Sequence, residues 1–148
     1  MIDNKKIKIL VVGGAGFIGS HMVKMLLDNN YNVTTFDNLS TGYRDAVIGG
    51  EFIEGDLADN QKLSEVFKDY SFNCVMHFAS SIEVGESIHN PKKYYKNNLI
   101  NTINLLNQLV KSDTQHIIFS STAAIYGNPN HLPIDEDHTK NPINPYGK

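Results

Sequence analysis

The segment that most restricts the fold covers residues 7–28, where a short apolar run meets a group of glycines and then a helical pattern. The run IKILVV is rich in β-branched residues and does not alternate with polar ones, which is typical of a strand buried on both faces. The glycines of GGAGFIG follow at once. Apolar residues then recur at helical spacing, at Ile18, Met22, Met25 and Leu26. This order predicts the first strand, turn and helix of a parallel α/β sheet.

The rest of the chain continues the same alternation. Strands are predicted at residues 7–14, 31–38, 51–57, 73–80 and 116–127. Between them we predict a helix at residues 17–28 and another that Asp59 caps and that buries Leu63, Val66 and Phe67. A third helix, opened by Asn90 and Pro91, is predicted to reach Lys111 and to bury Tyr94, Ile103, Leu106 and Val110.

Apolar strands that alternate with helices predict an α/β fold with a doubly wound parallel sheet, Rossmann-like, because right-handed crossovers leave few other topologies. The expected strand order is 3-2-1-4-5. With 148 residues, one domain spanning residues 1–148 is expected. The alternation stops after the fifth predicted strand, so we expect later strands and a substrate domain to be missing.

The glycines predict the binding of a dinucleotide. Gly14, Gly16 and Gly19 fit G-x-G-x-x-G, and Gly13, Gly16 and Gly19 fit the wider G-x-x-G-x-x-G. Such a turn lets a pyrophosphate approach the backbone and the amino end of a helix. Asp37 ends the second predicted strand 18 residues after Gly19, where a carboxylate binds ribose hydroxyls and repels a 2′-phosphate. We therefore expect NAD rather than NADP.

Composition and charge argue against several other classes of protein. The net charge is −3 and no basic run is present, so neither nucleic acid nor an anionic membrane is an expected partner. Cys74 is the only cysteine, and the first residues lack the pattern of a signal peptide, which favours a reduced, cytoplasmic setting. The six histidines are scattered along the sequence, and His77 follows an apolar run without a nucleophile at a recognisable spacing. We expect no metal site and no catalytic role for His77.

A longer series of motifs resembles the extended short-chain dehydrogenase/reductase family. The matching stretches are GGAGFIGSH (13–21), DNLSTG (37–42), GDLAD (55–59), HFAS (77–80), VGES (84–87), YYKNN (94–98), FSSTAAIYG (119–127) and NPYGK (144–148). The glycine motif is shared by the whole family, whereas DNLS, VGES and the small residues after Thr122 resemble the UDP-glucose 4-epimerase branch. The resemblance covers nearly the whole chain but only the amino-terminal half of such enzymes.

The resemblance implies a set of residues that bind NAD. They are Gly13, Gly16, Phe17, Ile18 and Gly19 at the pyrophosphate, Asp37, Asn38, Leu39, Ser40, Thr41 and Gly42 around the ribose, Asp56 and Leu57 at the adenine, Phe78, Ala79, Ser80, Ser81 and Ile82 beside the cofactor, Asn97 on the nicotinamide side, and Tyr146.

It also implies two catalytic residues, Thr122 and Tyr146, and inversion at C4 of a UDP-sugar through a 4-keto intermediate. Tyr146 as phenolate would remove the 4-hydroxyl proton while the C4 hydride passes to NAD+, and Thr122 would bridge the two hydroxyls. The related dehydratases carry an Asp-Glu pair after the threonine to protonate a leaving hydroxyl, and this chain has Ala123 and Ala124 there. Other nucleotide-sugar epimerases or decarboxylases, and a silent NAD-binding module, remain the alternatives.

The last residues, NPYGK, suggest how much of the catalytic apparatus the chain holds. Tyr146 and Lys148 are two residues apart, so on a helix their side chains point in different directions. The family's lysine lies four residues after the tyrosine, which is beyond residue 148. We therefore expect an amino-terminal fragment that is inactive by itself. By resemblance we also expect a homodimer formed through the helix at residues 91–111.

Overall fold

The computed structural model describes residues 6–148, and its centre is a five-stranded sheet in the order β3-β2-β1-β4-β5. The strands are β1 (Lys8–Val12), β2 (Asn32–Asp37), β3 (Glu51–Glu54), β4 (Cys74–His77) and β5 (His116–Phe119). Every neighbouring pair is parallel, so the predicted fold class and strand order are confirmed. The predicted domain of residues 1–148 includes residues 1–5, which lie outside the described part.

Helices cover the sheet on both faces. They are α1 (Phe17–Asp28), α2 (Asn60–Asp69), α3 (Val84–His89), α4 (Pro91–Tyr94) and α5 (Asn101–Lys111). The bounds of α1 agree with the prediction, and Asp59 caps α2 by accepting from the Lys62 N–H at 2.9 Å. Helix α3 was not predicted. Within the described residues, no helix is long and apolar enough to cross a membrane.

The core consists of one apolar cluster on each face of the sheet. Leu10, Val12, Leu63 and Leu105 belong to the cluster that α2 and α5 cover. On the opposite face, Val11 packs with Val23 and Leu26 of α1. Ile18 and Met25, which belong to the predicted apolar pattern of α1, are instead exposed.

The strands are shorter than predicted, most clearly β5. It was predicted to reach residue 127, but it ends at Phe119, and a 3₁₀ helix (Ala123–Tyr126) follows. The reason is local: the Thr122 hydroxyl oxygen accepts from the Ala124 N–H at 3.1 Å, and Gly127 has a positive φ of 65°. The strands β3 and β4 likewise end before their predicted limits of residues 57 and 80.

The long helix predicted for residues 91–111 is interrupted by a π-helical segment (Tyr95–Ile100). Because a π-turn holds more residues than an α-turn, it rotates the helix that follows it. Tyr94 is buried as predicted, but Ile103, Leu106 and Val110 are 44%, 40% and 87% exposed. Leu105 and Leu109 face the core instead. Asn90 precedes Pro91, but its side chain makes no cap hydrogen bond.

Candidate functional site

The glycine turn after β1 is packed so closely that side chains are excluded from it. Gly13 has a φ of +79°, and a Cβ there would lie 2.5 Å from the Ala79 nitrogen. A Cβ on Gly19 would lie 2.1 Å from the Gly13 carbonyl oxygen. A Cβ on Gly16 would meet only the Gly13 oxygen, at 3.4 Å. The backbone at the amino end of α1 is therefore open to a ligand, and Phe17 and Ile18 beside it are exposed.

Asp37 joins this turn to the loop after β2. The residue is only 8% exposed; its Oδ2 accepts from the Ala15 N–H at 2.9 Å and its Oδ1 from the Leu39 N–H at 2.8 Å. A carboxylate oxygen accepts two hydrogen bonds, so each retains capacity for a hydroxyl. The carboxylate is thus fixed at the carboxyl end of β2, as the sequence predicted.

The loop after β2 also reaches the end of β3. Asn38 donates from Nδ2 to Asp56 Oδ2 at 2.7 Å, and its own Oδ1 accepts from the Ser40 N–H at 3.0 Å. Tyr43 donates its N–H to the Ala15 carbonyl at 3.0 Å. A Cβ on Gly42 would lie 2.8 Å from the Ala15 carbonyl carbon, so no gap separates this loop from the glycine turn. The structure therefore brings together the predicted residues from the ends of three strands.

Residues 78–82, named here the β4 loop, lie against the glycine turn and are held by the π-helical segment. The Asn97 Nδ2 donates to Ser81 Oγ at 3.0 Å. The side chain of Asn98 binds both backbone polar groups of Ser81, accepting from its N–H at 2.8 Å and donating to its carbonyl at 2.9 Å. Asn97 was predicted from the sequence as a site residue, and Asn98 was not.

His77 lies at the end of β4 and is 2% exposed. Its Nε2 is 2.9 Å from Thr102 Oγ1. Because the Thr102 hydroxyl donates its proton to the Asn98 carbonyl at 2.7 Å, we assign the bridging proton to Nε2. The Nδ1 is buried with no partner among the described residues. Burial lowers the pKa of His77 from 6.5 to about 4, so the ring is neutral at physiological pH and serves packing rather than acid catalysis.

This lowered pKa predicts a loss of stability in acid. Between pH 6.5 and about 4 the unfolded chain gains a proton at residue 77 that the folded chain does not, so the free energy of unfolding falls as pH falls. The loss from this residue is about 3 kcal/mol over that window. Urea unfolding should therefore show that the free energy of unfolding changes less between pH 7 and pH 4.5 in His77→Gln than in the wild type. The exposed His89→Gln is the matched control, and equal pH dependence in wild type and His77→Gln would contradict the prediction.

Tyr146 lies in a single turn that has the features of a helix start. Asn144 caps this turn, because its Oδ1 accepts from the Gly147 N–H at 2.8 Å and its carbonyl accepts from the Lys148 N–H at 3.2 Å. Pro145 then occupies the first position of the turn, which suits its fixed φ. The turn therefore has the cap and the proline that typically open a helix, although it is too short to be a helix itself.

Helix α3 and Tyr94 hold this turn. The Tyr146 N–H donates to Ser87 Oγ at 3.3 Å, and its ring meets that of Tyr94 edge to face at 6.3 Å. The Tyr94 hydroxyl contacts the Glu83 carbonyl at 2.7 Å and Glu86 Oε2 at 2.9 Å. Burial and the Glu86 carboxylate raise the pKa of Tyr94 to about 12, so it remains a phenol. The VGES stretch therefore positions Tyr146.

The segments that carry Thr122 and Tyr146 lie next to each other, because their backbones make close contact. A Cβ on Gly147 would lie 2.5 Å from the Ala124 carbonyl oxygen, in the 3₁₀ helix that Thr122 opens. A Cβ on Gly127 would lie 2.0 Å from the Asn141 carbonyl oxygen. The segment before Tyr146 thus packs directly on the one after Thr122, and α3 supports it from another side. Neither Ser87 nor Asn144 was selected from the sequence; the Asn-Pro pair was a usable signal for Asn144.

Two histidines that looked scattered in sequence come together with an acid. His131, Asp135 and His138 each offer a ligand atom within 4.8 Å of the others. However, His138 Nε2 already accepts from the Asn130 N–H at 3.0 Å. A metal at Nε2 would displace that donor, and a metal at Nδ1 would require a proton on Nε2. We assign this cluster to the folding of its loop rather than to a metal.

Comparison with known proteins gives one consistent result. The model of the NAD dependent epimerase/dehydratase family matches residues 9–148. The chain is 45% identical over 140 residues to the UDP-glucose 4-epimerase of Rhizobium meliloti (strain 1021), covering 95% of this chain and 43% of that protein. The chain therefore spans less than half the length of this curated relative.

Solved structures agree. The UDP-glucose 4-epimerase of Brucella ovis in complex with NAD superposes with a TM-score of 0.92 at 50% identity, covering 95% of this chain and 43% of that one. The UDP-Glc/GlcNAc 4-epimerase of Campylobacter jejuni also gives a TM-score of 0.92, at 43% identity, covering 95% of this chain and 45% of that one.

Proposed function

The chain belongs to the NAD dependent epimerase/dehydratase family, and from this we propose that residues 1–148 are the NAD-binding domain of a UDP-glucose 4-epimerase. The observation that carries the proposal is the junction of the glycine turn with Asp37, whose Oδ2 accepts from the Ala15 N–H at 2.9 Å. It fixes a carboxylate beside a backbone that no side chain covers, which is the arrangement a dinucleotide requires.

The residues fit NAD in particular. Gly13, Gly16 and Gly19 leave the pyrophosphate free access to the start of α1, and Asp37 retains lone pairs for ribose hydroxyls. Around them we assign the remaining contacts predicted from the sequence, from Asn38 to Gly42, at Asp56 and Leu57, along the β4 loop, and at Asn97. When bound, NAD supplies an acceptor and donor of hydride for C4 of the sugar.

The chain's own chemistry at the sugar is assigned to Thr122 and Tyr146. Tyr146 takes the proton of the 4-hydroxyl and later returns it, and the Thr122 hydroxyl bridges the tyrosine and the sugar by hydrogen bonds. An isolated phenol has a pKa of about 10, so a phenolate needs a cation nearby. Ser87 and Tyr94 hold the turn that carries Tyr146, and Ala123 and Ala124 supply no acid for dehydration.

Two experiments test the function. Isothermal titration of the 148-residue chain should show NAD binding at least about tenfold tighter than NADP, because Asp37 repels a 2′-phosphate. For activity, residues 1–148 are joined to the remaining residues of the Brucella ovis enzyme, and this fusion protein should interconvert UDP-glucose and UDP-galactose. Equal affinity for NADP, or a folded fusion protein without turnover, contradicts the proposal.

The alternative within the family is another nucleotide sugar. The Campylobacter jejuni neighbour is described as acting on UDP-Glc and UDP-GlcNAc, so UDP-GlcNAc is the first competing substrate to assay. Turnover of the acetylated sugar alone would replace UDP-glucose in the proposal. We further propose a cytoplasmic location, with neither nucleic acid nor membrane as a partner.

We also propose a homodimer, formed through an apolar stripe on the helix at residues 91–111. The stripe consists of Leu99, Ile103, Leu106 and Val110, all exposed and spaced by three or four residues. Such spacing suits helix-to-helix packing between two copies. Nothing among the described residues covers this stripe.

Introducing a charge into the stripe should break the dimer. Ile103→Glu is expected to raise the dimer dissociation constant by about 30-fold or more, because a carboxylate would be buried without a partner. Light scattering at several protein concentrations measures the change. Met25→Glu, at an exposed residue of α1, is the matched control. A monomeric wild type, or an unchanged dimer in Ile103→Glu, would refute the assignment.

A further inference from the structure

The side chain of Asn98 binds the backbone of Ser81 on both sides. Its Oδ1 accepts from the Ser81 N–H at 2.8 Å and its Nδ2 donates to the Ser81 carbonyl at 2.9 Å. Two directional hydrogen bonds from one amide to the same residue favour a single backbone conformation of that residue. The Asn98 amide thus gives Ser81, four residues beyond the end of β4 at His77, a partner for both of its backbone polar groups.

The π-helical segment (Tyr95–Ile100) explains how neighbouring asparagines reach the same residue. On a regular α-helix, consecutive side chains diverge by about 100°. Here Asn97 reaches Ser81 Oγ at 3.0 Å while Asn98 binds the Ser81 backbone, and the two side chains meet at 3.3 Å. A widened turn accommodates both, and such turns are frequent at functional sites.

A second set of bonds holds Asn98 from behind. The backbone carbonyl of Asn98 accepts from Thr102 Oγ1 at 2.7 Å, and the same Thr102 oxygen accepts from His77 Nε2 at 2.9 Å. His77 is the last residue of β4, directly before the β4 loop. These hydrogen bonds thus connect His77 at the end of β4 to Thr102 and Asn98 of the helix, and Asn98 in turn to Ser81 of the β4 loop.

The position of the β4 loop matters because it touches the glycine turn. A Cβ on Gly13 would lie 2.5 Å from the Ala79 nitrogen, so a shift of the loop toward the turn is blocked and a shift away opens a gap. The loop is otherwise exposed at Ile82. Phe78 anchors the start of the loop by donating its N–H to the Val12 carbonyl at 2.8 Å, and the Ser81 contacts hold its far end.

We propose that Asn98 is a positioning residue that fixes the β4 loop in the conformation that receives the dinucleotide. It acts through Ser81, whose backbone N–H and carbonyl bind the two ends of its amide. The inference rests on the proposed binding of NAD. It separates the roles of two adjacent residues: Asn98 holds the Ser81 backbone, whereas Asn97, which binds the Ser81 hydroxyl, is the one predicted to contact the nicotinamide side.

The test uses NAD titration and amide hydrogen exchange on the 148-residue chain. Asn98→Ala should weaken NAD binding by about tenfold and make the Ser81 amide exchange fast, because two hydrogen bonds to the loop are lost. The exposed Asn107→Ala, on the same helix, should keep wild-type affinity and slow exchange at Ser81. Far-UV circular dichroism checks that each variant is folded.

Asn98→Asp is a second variant, and it distinguishes positioning of the β4 loop from a general effect on folding. Aspartate keeps an oxygen for the Ser81 N–H but cannot donate to the Ser81 carbonyl. Both exchange at Ser81 and NAD affinity should therefore lie between those of the wild type and Asn98→Ala. Binding by Asn98→Ala within twofold of the wild type, or unchanged exchange at Ser81, overturns the inference. A wild type that does not bind NAD overturns the proposed function instead, and exchange at Ser81 still decides whether Asn98 holds the Ser81 backbone.

Discussion

Gly19→Ala is expected to abolish measurable NAD binding and to destabilise the fold. The added Cβ would lie 2.1 Å from the Gly13 carbonyl oxygen and 2.8 Å from the Gly14 Cα. Both atoms belong to backbone, so no flexible side chain can move aside, and α1 must shift away from the turn. We expect affinity for NAD to fall about 100-fold or more, and overpacking to cost about 1–3 kcal/mol of unfolding free energy.

Isothermal titration and urea unfolding measure the two effects. The control is Gly85→Ala in α3, where a Cβ meets nothing within 4 Å. Alanine is the better helix former, so Gly85→Ala should be neutral or stabilising by about 0.5–1 kcal/mol. If Gly19→Ala bound NAD as the wild type does, the glycine turn would not be the binding site.

Tyr146→Phe in the fusion protein is expected to reduce kcat by about 10²–10⁴-fold, because it removes the oxygen that takes the proton of the 4-hydroxyl in the proposed mechanism. The ring contact with Tyr94 at 6.3 Å and the N–H bond to Ser87 do not need that oxygen, so the turn should stay in place. The effect should therefore appear in kcat rather than in thermal stability.

A coupled assay that follows UDP-glucose formed from UDP-galactose measures this change. Tyr95→Phe removes the hydroxyl of a tyrosine that is 40% exposed, and it should keep the activity of the unmodified fusion protein. The 148-residue chain should show no turnover in the same assay, because it spans only 43% of the Rhizobium meliloti relative. Activity of Tyr146→Phe near that of the fusion protein would exclude Tyr146 as the base.

Local chemistry accounts for the features that the sequence predicted correctly. The glycine turn requires residues without side chains, and Asp59 caps a helix through its own neighbours. The parallel order of the strands follows from their apolar composition and from the handedness of the crossovers. Asp37 was predicted at the end of β2 for the same reason, since the end of an apolar run marks the end of a strand.

The errors arose where a local departure from regular helix or strand geometry decides the outcome. The π-helical segment rotates α5, so Ile103 and Val110, which share a pattern with buried residues, are exposed. The fifth strand ends early because Thr122 starts a 3₁₀ helix. A sequence pattern with a fixed helical period does not register one extra residue in a turn.

The sequence by itself therefore determined the sheet order, the glycine turn and the acid that follows it, because each depends on residue types within a short stretch. Only the tertiary structure decided how these parts are held: Asn98 reaches Ser81 across 17 residues, and Tyr146 donates to Ser87 across 59. Such bonds depend on where helices pack against the sheet. Packing of that kind depends on the whole chain, so it cannot be predicted from a local sequence pattern.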